Sequence, residues 1–321
     1  ARSGSGIGKK RKNHNLKILQ MLICRIFWVF YQQKTVFLCS FLFVCPAPLD
    51  SPLSIVYNSS TSTIVLLSGG FYEEFYSVLK SVPKAEVHVH IEAVSTIETI
   101  KALYKKRFGK EMTDEDIKNL FSYEDLNGFI QAFLQVQDLF QSVDDFNYVF
   151  DDLAKYLVDN NVTYCEAFFA PSAFIKKGFK YEEMVAIFSK KIAEIKQNHG
   201  ITIKLLLDVS RTFGCENAMN NYNLLKQCPC KDVIGIGLGG AEQKGPAKEF
   251  AAVFEQAHKD GYHAVAHAGE DVGPESIWDA INYLHSERIG HGVTAIQDEE
   301  LMNNLAKTKL PIEVCVTSNV F

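Results

Sequence analysis

The stretch Tyr262-His263-Ala264-Val265-Ala266-His267-Ala268-Gly269-Glu270 decides how this chain is read. It has the form of a short apolar strand ending in a histidine, two small residues and a carboxylate, and small residues at a strand end let a substrate approach the backbone. His267 is placed to bind a metal ion, and Glu270, three residues on, to carry protons to and from a substrate beside that ion. His263 lies at the start of the strand and reads as a packing or surface residue.

Working outward, Ala85-Glu86-Val87-His88-Val89-His90-Ile91 has the β-branched alternation of another strand. Residues i and i+2 of a strand share a face, so His88 and His90 point into one space and suit a single ion. With His267 they form a neutral trio of imidazoles that leaves zinc an open position for water, whose pKa would fall toward neutrality. A third segment, Glu287-Arg288-Ile289-Gly290-His291-Gly292, exposes His291 between two glycines at a strand end, where an imidazole can orient the attacking group and stabilise developing charge. The remaining histidines, His14, His199, His258 and His285, sit in polar or helical contexts that suggest no chemistry.

Strand candidates at 85–91, 162–169, 202–208, 232–238, 262–267, 287–290 and 311–316 alternate with amphipathic helices. Examples of the latter run from Tyr181 onward, over Lys248 to His258, and from Pro274 to Leu284, where proline suits a first helical turn. Strands alternating with helices in this way predict an α/β protein, a (β/α)8 barrel of the TIM type. Seven strands are found where eight are expected. The stretch from Val94 to Asn160 is predicted helical; its aromatic run of Phe129, Phe133, Phe140 and Phe146 fits a lid, but core packing is the reading preferred for most of these rings.

From about residue 80 to 321 the chain resembles the adenosine deaminase family of zinc aminohydrolases. The resemblance rests on Pro83 to His90, on Ile236-Gly237-Leu238-Gly239-Gly240-Ala241-Glu242, on His267 to Ser276, on Glu287 to Gly292 and on Thr317-Ser318-Asn319, all in the family's order. It implies that His88, His90 and His267 bind zinc, that Glu270 protonates a purine ring and that His291 positions the hydroxide. It also implies that Gly240 offers its backbone to the base. Glu92 stands where adenosine-specific members place the aspartate that holds ribose; glutamate there is common in relatives that deaminate adenine or other modified aminopurines. Phe168 replaces a frequent arginine, and Val316 a proline. The family's last zinc ligand, an aspartate of a paired-Asp motif on the final strand, has no counterpart up to Phe321. The resemblance thus leaves the barrel one strand and the site one ligand short, with two strand edges unpaired, and makes poor folding or insolubility the expectation for the isolated chain.

Residues 1–70 read as foreign to residues 71–321. Residues 1–50 carry eight Lys/Arg and one acid, so the net charge of −5 conceals +7 there and −12 over the remainder. This basic, apolar segment is expected to be a disordered leader or the product of a faulty gene model. Arg25 and Lys34 interrupt its apolar runs, so no span of about twenty apolar residues arises, and a membrane anchor is not expected. The acidic barrel region, without a basic stripe, argues against nucleic-acid partners. Five cysteines in that region form no spaced framework, which suits the reducing cytoplasm. The Pro-Cys-x-x-Cys that the other zinc deaminase design needs together with His-x-Glu is absent. Taken together, the expectation is zinc-dependent hydrolysis of the 6-amino group of adenosine, a small-molecule reaction of purine salvage. Adenine or a modified aminopurine is the alternative substrate, and a non-catalytic product is the alternative of another class.

Overall fold

The computed structural model describes residues 53–58, 63–68 and 77–320. Two compact units divide the chain after Val82. In the first, β1 (Leu53–Asn58) and β2 (Thr63–Ser68) pair antiparallel, with Leu53 opposite Ser68. The expectation that residues 1–70 are a leader or the product of a faulty gene model falls on residues that, apart from β1 and β2, lie outside those described.

The second unit holds seven parallel strands that are neighbours in chain order: β3 (Lys84–His90), β4 (Val162–Phe169), β5 (Thr202–Asp208), β6 (Val233–Leu238), β7 (His263–Ala268), β8 (Arg288–His291) and β9 (Ile312–Glu313). Each parallel pair needs a crossover, and helices supply it, so the strands are covered outside and packed inside. The sequence Leu205-Leu206-Leu207 shows both coverings. Leu205 and Leu207 join the large outer core beneath the helices, while Leu206 meets Phe168 and Val265 in a small cluster within the sheet. Burying one such side chain stabilises the fold by about 1.5–3 kcal/mol. The architecture is a TIM-type (β/α)8 barrel with seven of its eight strands, and β3 and β9 stand at the two ends of the strand order.

Six predicted strands agree with the structure to within a residue at either end. The seventh requires correction. β9 covers only Ile312–Glu313, and residues Val316–Val320 form a helical turn in which the Asn319 N–H donates to the Cys315 carbonyl at 2.8 Å. The register explains it. Gly290 pairs with Glu313, and immediately afterwards β8 turns away through His291 (φ 66°) and Gly292 (φ 62°), leaving residues beyond Glu313 without a ladder partner.

The insertion after β3 is helical as expected, in segments Ile97–Phe108, Asp114–Leu120, Leu126–Asp138 and Phe146–Asp159. Its phenylalanines divide: Phe129 and Phe133 line a cavity, whereas Phe140 and Phe146 are wholly buried against Phe174. No helix among the described residues is long and apolar enough to cross a membrane.

Candidate active site

Strand β3 places His88 and His90 on one face, and β7 brings His267 to them from across the barrel. Their ring centroids lie 4.6 Å (His88 to His267), 5.1 Å (His90 to His267) and 5.5 Å (His88 to His90) apart. One nitrogen from each falls within 4.8 Å of the others. The rings open onto a cavity of about 630 Å³ that is also lined by Asp208, Gly240, Glu270 and His291. Phe133 of the helix Leu126–Asp138 meets His90 edge-on at 6.4 Å, Phe129 of the same helix lines the cavity beside it, and Phe168 stacks on His90 at 5.0 Å.

The electrostatics give each group a distinct state. Burial first, and the Glu242 charge second, push the Glu270 carboxyl up to about 7. Burial lowers His90 to about 3, helped by His88, and holds His267 and His291 well below the usual imidazole range. Burial also opposes charge on His88, but hydrogen bonds to Cys315 and Glu313 outweigh it and push this imidazole up to about 10, so a metal ion held by this ring would displace its second proton. The Glu313 contact, Oε2 to His88 Nδ1 at 2.7 Å, belongs to a chain in which Arg288 joins Glu313 and Glu166, both at 2.5 Å.

The donor set fits a divalent ion such as zinc. Three imidazoles converge, a carboxylate orients one of them, and Nε2 of His267 is buried without a hydrogen-bond partner. The contact of His267 Nδ1 with His291 Nε2 at 3.2 Å leaves that second nitrogen free.

His291 has a left-handed backbone, which is uncommon for a residue with a side chain and costs energy that packing must offset. Asn319 holds its Nδ1 at 2.9 Å, and Glu270 Oε2 stands 3.5 Å from its Nε2. Gly240 has φ 87°, and a Cβ there would stand 2.6 Å from Ser210 Oγ, so a close backbone approach requires glycine. Glu92 is placed differently from the other sequence candidates. It is buried beside the cavity without lining it, its Oε1 accepts from the Ala170 N–H at 2.8 Å, and burial pushes its carboxyl up to about 7.

Sequence reasoning gave no role to Asp208, Arg211, Glu242 or Glu313. Asp208 lies 3.8 Å from His90 Nδ1, with its Oδ1 buried and unpartnered, and burial pushes it up to about 6. The available signal was position: Asp208 ends a predicted strand, where barrel strands deliver functional groups.

The chain is similar in sequence and fold to known deaminases. An adenine deaminase from Chlorobium phaeobacteroides is 32% identical over 246 residues, which is 75% of this chain and 72% of that protein. An aminodeoxyfutalosine deaminase from Streptomyces avermitilis is 30% identical over 251 residues, 77% of this chain and 70% of that one. The crystal structure of an adenine deaminase from Arthrobacter aurescens superposes with a TM-score of 0.70 at 27% identity, covering 74% of this chain and 73% of that one. The family model for adenosine deaminase matches residues 83–321, spanning every barrel strand and all five converging side chains, and the chain accordingly belongs to the adenosine deaminase family.

Proposed function

We propose that the chain is a hydrolytic deaminase of adenine-like purines, with the free base adenine, rather than adenosine, as the preferred substrate. One observation carries the chemistry: three imidazoles, Glu270 and His291 converge on a single aromatic-lined cavity. The choice of base rests on the relatives named adenine deaminase, and replaces the adenosine expected from sequence. Water adds to the ring carbon bearing the amino group, the C–N bond breaks, and ammonia leaves a 6-oxo product.

His88, His90 and His267 would hold zinc, which when bound supplies a hydroxide nucleophile at neutral pH. Glu270 is half protonated near neutrality and donates that proton to a ring nitrogen, making the adjacent carbon electrophilic. His291, kept neutral by burial and held by Asn319, steers the incoming oxygen and accepts charge as it adds. Gly240 offers its backbone to the base, while Phe129 and Phe133 cover the ring and exclude water. Glu92 holds the end of β4 at the edge of the base pocket. The five free cysteines among the described residues accord with a cytoplasmic setting.

A modified aminopurine is the second reading, supported by the aminodeoxyfutalosine deaminase relative. The test compares kcat/KM of the zinc-supplied chain for adenine and adenosine. Higher values for adenine are expected; the reverse order returns the substrate to the nucleoside, and no turnover of either sinks both of these substrates, with no turnover of an N9-substituted aminopurine sinking the second reading as well.

A further inference from the structure

Glu242 takes no part in the reaction above, yet its carboxylate accepts from five donors at once. The backbone N–H groups of Gly269, Glu270, Asp271 and Val272 donate to it at 2.6, 3.0, 2.9 and 3.2 Å, and the Ser276 hydroxyl adds a fifth bond. Successive N–H groups converging in this way form a concave anion site. Here the loop after β6 fills it with the chain's own carboxylate, which is 4% exposed.

The same turn is gripped from the other side. Arg211, in the loop after β5, is buried and donates from Nη2 to the His267 carbonyl and from Nη1 to the Gly245 carbonyl, both at 2.5 Å. The turn is left-handed at Gly269 (φ 66°), and the Gly269 carbonyl accepts from the Thr294 N–H at 3.0 Å. The loops after β5, β6 and β8 therefore converge on six residues, His267 to Val272, and Glu270 projects from the middle of them.

We propose that Glu242, braced by Arg211, is a positioning residue that fixes the turn carrying Glu270. The proposal rests on reading Glu270 as the proton donor. A turn held by four backbone bonds to one neighbour keeps the Glu270 carboxyl where the substrate ring nitrogen arrives, and a displacement of about 1 Å at such a group costs on the order of 10²-fold in rate.

The test is Glu242→Gln in the full chain, with amide hydrogen exchange and adenine kinetics measured on both proteins. The amides of Gly269, Glu270, Asp271 and Val272 are expected to exchange roughly tenfold faster in the variant while those of the barrel strands are unchanged. kcat falls by about 10²-fold with KM within about twofold. Unchanged exchange at the four amides, or an unchanged kcat, overturns the proposal. If the wild type turns over no aminopurine, the proposed function has failed, and the exchange result alone decides for or against the clamp. If the variant does not fold, the wild type decides: four amides as slow as those of the strands support the clamp, and exchange at the rate of a free loop overturns it.

Discussion

Raising the pH is the perturbation that reads the state of Glu270 most directly. Its carboxyl, 4.5 in the open chain, stands at about 7 because it is buried and faces Glu242. At pH 7 an ordinary glutamate is protonated in roughly 0.3% of molecules, whereas this one is protonated in about half. The proposed acid form is thus enriched more than a hundredfold by its surroundings. Because the protonated form is the active one, kcat/KM for adenine should hold below pH 7 and fall about tenfold per pH unit above it, reaching about 10²-fold below its plateau at pH 9. Ammonia release at fixed low substrate, measured from pH 6 to 9, reads this directly. Glu270→Gln, which cannot donate an acidic proton, should lower kcat by about 10²–10⁴-fold. A profile flat from pH 6 to 9, or a glutamine variant with unchanged turnover, refutes both the acid role and the reasoning that burial supplies it.

Other consequences follow from individual contacts. Gly269→Ala puts a Cβ 2.5 Å from Ile277 Cδ1 at a left-handed position, and should cost about 2–4 kcal/mol in urea unfolding; a cost below 0.5 kcal/mol would show that the turn relaxes freely. Glu313→Gln removes the carboxylate that holds His88 and pairs with Arg288, and should weaken zinc binding about 10–100-fold in competition with a chelator; unchanged affinity would deny Glu313 a part in orienting His88.

Much of the barrel was legible because a parallel strand buried on both faces is a continuous apolar run, as in Leu205 to Leu207, and needs no partner to be recognised. β9 was not. Val314 to Val316 have the composition of a strand, but its length is set by where β8 turns away at His291, twenty-odd residues earlier. The histidines were legible from spacing and from the small residues around them. Glu242, Arg211 and Glu313 were not, since each acts through partners 25 or more residues away that only the closing of the barrel brings near. Glu92 shows the converse: the sequence marked the position, but its carboxyl turns to the Ala170 N–H instead of opening onto the cavity.

The central claim is that three imidazoles hold an ion for hydrolysis of an adenine-like purine. It is tested most directly by stripping the protein of metal with a chelator, returning zinc stepwise and following ammonia release from adenine. The account predicts no release from the stripped protein and a rise that saturates at one equivalent of zinc, lost when His88 and His90 are both replaced by alanine. Full release from the stripped protein, or none at any zinc level, would contradict it.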